Sequence, residues 1–227
     1  KSEKEDYDVI LIYSDGNKSP TRKNATLNLM NYDLTINGVS SVILSTNHKV
    51  KILPDSGTIV MHRNRDFDFN GIITSGKVDF YGNGFKFNYN DFFIDMPILD
   101  SMQIWASTEE RDKNGFLLET RVRTVIEDLK GDLKIDHPEN KSGKEDIPEY
   151  PIFTSKEISY AYYDKKSVFN GIYERDDFYF ELEPFEIDSL DKFTNEGISF
   201  AGTFVSANIL PDIPQTLGLM PDYSLGF

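Results

Sequence analysis

From Asp66 to Ala106 the chain alternates apolar and polar residues with a period of two, the spacing of strands that bury one face. The stretch opens Asp66-Phe-Asp-Phe-Asn-Gly71 and runs through Phe85-Lys-Phe-Asn-Tyr89, Phe92-Phe-Ile-Asp-Met96 and Met102-Gln-Ile-Trp-Ala106. Between Tyr89 and Phe92 the alternation slips by one residue. A turn or bulge at Asn90-Asp91 is needed there to reset which face points inward.

Short strands continue on both sides of this stretch. Val9–Tyr13, Ala25–Met30, Leu34–Gly38, Val42–Leu44, Val50–Ile52 and Ile59–Met61 precede it, punctuated by Asp15-Gly16, Pro54 and Gly57. Residues 118–126 read as one further strand with Arg121 and Arg123 on its polar side. Tyr160–Tyr163 resumes strand, and Asp188–Phe193 offers a short helix with Asp188 as its N-cap. Many short strands with frequent turns predict an all-β fold, an antiparallel sandwich or a stacked β-repeat with very little helix. The aromatic content agrees, with 17 Phe and 12 Tyr against a single Trp105.

Length permits one large β-domain or two small ones. Residues 136–151, with Pro138, Pro148 and Pro151, form either a loop inside one continuous domain or a boundary between a β-domain over 1–135 and a shorter one over 152–227. A repeat supports the division: Phe85, Phe87, Phe92 and Ile94 recur as Phe178, Phe180, Phe185 and Ile187, and Phe69-Asn-Gly-Ile72 recurs as Phe169-Asn-Gly-Ile172. A third copy starts at Phe200-Ala-Gly202. Gly71 and Gly171 then mark bulges or close backbone approaches.

The charge narrows the partners. With 38 acidic against 24 basic residues the net charge is −14, which opposes binding to phosphate backbones or anionic lipid. No nucleic-acid partner is expected. The absence of cysteine excludes disulfides and thiolate metal sites. No apolar run is long enough for a transmembrane helix. The chain opens on Lys1-Ser-Glu-Lys-Glu-Asp6 and stops inside an alternating run ending at Phe227. Both features suggest a piece of a longer chain whose last strand, over 217–227, leaves an edge for a following repeat or another protein.

Templates for chemistry fail one by one. Gly71-Ile-Ile-Thr-Ser-Gly-Lys77 has the spacing of a phosphate-binding loop, but Val78 replaces the magnesium-binding hydroxyl and strand follows. A hairpin turn at Ser75-Gly76 is the simpler reading. Asp66-Phe-Asp-Phe-Asn-Gly71 matches half a calcium loop, yet Lys77 stands where the bidentate Glu belongs. His48, His62 and His137 are far apart and default to surface or turn roles. No metal or cofactor is expected. Paired carboxylates for glycoside hydrolysis depend on separation in space, which sequence does not give. Trp105 with Tyr160, Tyr162 and Tyr163 forms a candidate stacking platform for sugar rings.

Arg65-Asp-Phe-Asp-Phe-Asn-Gly71, Phe85-Lys-Phe-Asn-Tyr89, Asn140-Lys-Ser-Gly143, Tyr150-Pro-Ile-Phe153, Tyr162-Tyr-Asp164 and Asp222-Tyr-Ser-Leu-Gly-Phe227 resemble segments of very large, uncharacterised envelope proteins of the Bacteroidota type. The likeness runs from about residue 48 onward and carries no catalytic motif. It implies a place in the bacterial envelope, in the periplasm or at the outer-membrane surface. Asp100-Ser-Met102 and Asp188-Ser-Leu190 are similar to the O-glycosylation acceptor of that group, which would place glycans on Ser101 and Ser189. A fainter similarity is to the stacked sheets of OstA- and AsmA-like lipid-handling proteins. The expected role is therefore a non-catalytic structural or interaction segment. Its expected partners are other segments or repeats of the same long chain, with glycans as possible ligands. A glycan-binding module, a lipid-handling β-groove and, last, a hydrolase are the alternatives.

Overall fold

The computed structural model describes residues 11–14, 25–165, 169–207 and 209–227. The charged stretch 1–8 and the polar loop 17–24 lie outside the described residues. In chain order the strands begin with β1 (Leu11–Ser14), β2 (Ala25–Leu27), β3 (Leu34–Asn37), β4 (Val39–Ser45), β5 (Val50–Pro54) and β6 (Thr58–Met61). The centre of the fold is β7 (Phe67–Ser75), β8 (Val78–Asn88) and the 19-residue β9 (Phe93–Arg111). There follow β10 (Leu117–Arg121), β11 (Ile126–Lys134), β12 (Ile152–Ser155) and β13 (Ser159–Tyr162). The last strands are β14 (Phe178–Leu182), β15 (Glu186–Ile187), β16 (Ser199–Ser206), β17 (Ile213–Leu219) and β18 (Leu225–Gly226).

These strands make one large antiparallel sheet, 55% of the described residues against 5% helix, in a sandwich-like all-β fold. Its spine runs β4, β5, β7, β8, β9, β11 through direct pairing. Alternation does its work most plainly in β7, where Phe67, Phe69, Ile73 and Ser75 are buried and the residues between them are more open. The slip after Tyr89 is the β8–β9 hairpin turn. Phe92 takes φ 54°, Asp91 N–H donates to Asn88 Oδ1 at 2.9 Å, and Phe87 and Phe92 meet edge to face inside. The Ser75-Gly76 segment is likewise the turn of the β7–β8 hairpin.

The sheet folds over on itself because β11 has two partners beyond β9. Residues 131–134 pair with β12 and residues 126–127 with β13. The β12 branch brings Phe153 against Phe80 of β8 at 4.7 Å, and Phe185 bridges Phe153 to Phe200. The β13 branch continues through β14, β16 and β17. The turn after β17 then returns to the segment ahead of β11, where Arg123 N–H donates to Tyr223 O at 2.7 Å and Leu225 N–H to Thr124 Oγ1 at 2.9 Å. Eight Phe and several Ile side chains, each under 2% exposed, head the list of what fills the space between the layers.

Residues 136–151 are a loop whose flanking strands, β11 and β12, pair with each other, and three other expectations change. The loop carries α1 (Pro138–Ser142), capped by His137, and Lys141 rests its ammonium 4.0 Å over the Phe92 ring. The reading of 118–126 as one strand fails, because residues 122–125 leave the ladder to meet Ile104 and Tyr223. Residues 217–227 are a hairpin rather than one strand. Asp222 accepts hydrogen bonds from both N–H and Oγ of Ser224, which turns the chain at Pro221–Ser224. Asp188–Phe193 is a turn, with Ser189 at φ 49°, and makes no helix.

The repeat does not survive as a duplication. Both copies run strand, break, strand, and Phe87 and Phe180 are both buried, but Phe85 and Phe92 are buried where Phe178 and Phe185 are only half-buried. The pairing differs too: β8 and β9 form a hairpin, whereas β15 pairs with β12 and not with β14. Gly71 sits inside β7 and Gly171 ends a 3-10 turn. A period of two specifies which face is buried and leaves the choice of neighbour to turns and long-range packing.

Candidate functional site

The apolar core is open at one end. On β14, Phe178 shares a face with the buried Phe180 and Leu182, and on β16, Phe204 continues the face of Phe200. Phe178 opens β14 and Phe204 lies towards the end of β16, where rings from Tyr173, Tyr163 and Phe227 meet them. The result is a cavity of about 560 Å³, within the range of small-ligand sites. Its walls are Tyr163, Tyr173, Phe178, Phe204 and Phe227, and its rim carries Arg123, Lys165, Asp222 and Ser224.

The rings are packed against one another but none of these five is fully buried. Tyr173 lies against Phe178 at 4.7 Å between centroids, Phe204 against Phe227 at 5.4 Å, and Tyr163 meets Phe204 edge to face. Leu225 is the single aliphatic side chain in the lining. Aromatic faces of this kind offer flat, weakly negative surfaces suited to the C–H groups of a sugar ring. Burial pushes the Tyr163 hydroxyl up to about 12, so it stays neutral.

Of the residues singled out in the sequence, Tyr162 and Tyr163 line this cavity and Trp105 and Tyr160 do not. Tyr160 stacks on Tyr162 at 5.7 Å and 23°, and Tyr179 meets both, as a ladder across β13 and β14. One face of Tyr162 is taken by the Arg175 guanidinium at 3.4 Å, and its hydroxyl donates to Asp128 Oδ2 at 3.0 Å. Burial, reinforced by the Asp128 carboxylate, raises that hydroxyl to about 12 as well. Trp105 belongs to a separate cluster. Its indole N–H donates to Asp79 Oδ2 at 2.8 Å and Arg121 lies over its ring. The four aromatics thus do not form one platform. Sequence reading missed Tyr173, Phe178 and Phe204, which alternation assigns to the core.

Ser101 sits in the ladder between β8 and β11, and Ser189 donates its hydroxyl to Pro148 O at 3.3 Å. Asp66, Asp68 and Asn70 each have partners in the fold: Tyr89 N–H, His62 and Gly84 N–H respectively. Among the described residues no group of three or more acidic, His or Cys side chains is placed to hold a metal ion.

Two histidines proved less ordinary than their spacing suggests. His62 lies between Asp33 at 2.8 Å and Asp68 at 3.1 Å. His48, nearly buried, lies between Asp136 at 3.4 Å and Asp191 at 3.5 Å. No local sequence signal exists for either, because each carboxylate comes from a different turn or strand.

The carboxyl groups whose acidity shifts move the wrong way for a general acid. Burial would raise Asp136, but His48, Asn140 and the His137 N–H outweigh it and hold it below the usual range. Its own backbone N–H and the Thr194 hydroxyl lower Glu196, and Ser224 lowers Asp222. Glycoside hydrolysis needs one carboxyl raised. Comparison with protein-family models, curated proteins and solved structures finds no match for the chain.

Proposed function

We propose that the chain is a non-catalytic interaction segment of a larger bacterial cell-envelope protein, and that the aromatic cavity holds a sugar ring of a glycan. The observation that carries the ligand is the set of partly exposed rings, Tyr163, Tyr173, Phe178 and Phe204, that line the cavity. An acyl chain would be better matched by aliphatic walls, and Leu225 is the only aliphatic residue there. The envelope setting rests on the sequence resemblance, and the lowered carboxyl groups favour binding over hydrolysis.

Titration calorimetry with tetragalacturonate and its methyl ester tests the reading. At least one tetramer should bind, and Tyr173→Ala should weaken it at least tenfold while the melting temperature stays close to the parent. The tetramer should leave the cell uncleaved. Binding that ignores Tyr173→Ala and Phe204→Ala, or release of shorter sugars, would overturn the proposal.

A further inference from the structure

The cavity reverses the charge balance of the protein. A chain with 38 acidic and 24 basic residues places two cations, Arg123 and Lys165, on this rim against one carboxylate, Asp222. Taking the cavity as a sugar site, we propose that the sugar it selects is anionic, carrying a carboxylate or a sulfate group read by Arg123 and Lys165.

Both cations are loosely paired at their tip, and Arg123 is held at its base. The Arg123 backbone N–H is fixed by Tyr223 O, while the guanidinium reaches Asp222 only at 3.5 Å and remains 63% exposed. Lys165 reaches Glu127 at 3.7 Å. Charge-assisted bonds made in earnest are shorter, about 2.7–2.9 Å. Glu127 already has a closer partner in Arg175 at 2.8 Å, so turning Lys165 towards a ligand leaves no carboxylate unpaired. Asp222 likewise keeps its two bonds from Ser224 when Arg123 swings away.

Arg175 shows what a committed cation looks like here. It is spread over Glu127, Asp128 and Asp164 and is pressed on the Tyr162 ring. Among the described residues Arg123 and Lys165 have one longer ion pair each. A guanidinium beside an aromatic wall matches a planar carboxylate on a ring that stacks on the wall. The surrounding negative field disfavours any anion at long range, so a measured preference for the charged sugar can come only from these local contacts.

The experiment compares four titrations on the full chain at low salt: tetragalacturonate, its methyl ester, galactose 6-sulfate and galactose. The charged member of each pair should bind at least tenfold more tightly than its neutral partner. In R123Q combined with K165Q the advantage should vanish while the neutral member binds as before. A preference confined to the uronate or to the sulfate identifies which anion the site reads. Equal binding of charged and neutral members defeats the anionic preference and leaves the cavity reading standing. Binding of none of the four, or binding indifferent to Tyr173→Ala, defeats both.

Discussion

Replacing His48 by Leu is expected to cost about 3–5 kcal/mol of stability near pH 6, the range found when one member of a buried ionic group is removed. Asp136, with a side chain 0% exposed, and Asp191, at 8%, would then face each other across a neutral side chain. Among the described residues Asp136 Oδ2 and Asp191 Oδ1 lack hydrogen-bond partners, and Asp136 would keep only the His137 N–H and Asn140 Nδ2 donors on its Oδ1. The cluster ties together three distant turns: the β4–β5 connection, the entry to α1 and the Asp188–Phe193 turn. Adding Asp136→Asn and Asp191→Asn to the Leu variant should recover much of the loss, since the unpaired charge is what costs.

The pH dependence has a definite sign. Burial opposes the charged imidazole, but the two carboxylates outweigh it and raise the His48 pKa above 6.5. A raised folded-state value gives stability that is complete below the unfolded pKa and fades as pH rises through the folded one. Asp136, held below 3.8, adds stability present above its unfolded value and lost as pH falls through the folded one. The gap between parent and His48→Leu melting temperatures should therefore be widest from about pH 4 to pH 6.5 and shrink in alkali. Coincident melting curves at pH 5.5 would refute the cluster's role.

Gly71→Val is expected to cost about 2–4 kcal/mol, combining backbone strain with a clash. Gly71 has φ 137°, and a Cβ there would stand 2.2 Å from Leu53 O and 2.8 Å from Asp55 N on the neighbouring β5 side. The β7–β8 register shifts between Phe69 and Gly71 at this same point. Gly115→Val separates the two costs. Gly115 also has a positive φ, 86°, but nothing lies within 4 Å of its Cβ direction, so only strain of about 1–3 kcal/mol applies. Urea unfolding of both variants measures the difference, and equal midpoints would remove the clash from the account.

Strand type and buried face were legible from residue order, as β7 and the β8–β9 turn demonstrate. Phe67, Phe69, Phe85 and Phe87 declare their face by spacing alone. Pairing was not legible. The segments at Phe85 and Phe178 look alike, yet one becomes half of a hairpin and the other is split between two neighbours, because partners are set by turns such as Pro221–Ser224 and by contacts such as Phe80–Phe153. The same limit hid the cavity. Phe178 and Phe204 carry the pattern of core residues, and only the roll of the sheet leaves them uncovered. Of the four aromatics chosen from sequence, Tyr162 and Tyr163, at the end of β13 and just beyond it, reach the cavity, while Trp105 is held elsewhere by Asp79.

The most direct test of the cavity as a sugar site is a two-dimensional NMR titration of the chain with tetragalacturonate. The ring signals of Tyr163, Tyr173, Phe178 and Phe204 should shift in step with added sugar, and the single indole N–H signal of Trp105 should stay in place. Shifts centred on Trp105 with the four rings unmoved would contradict the account.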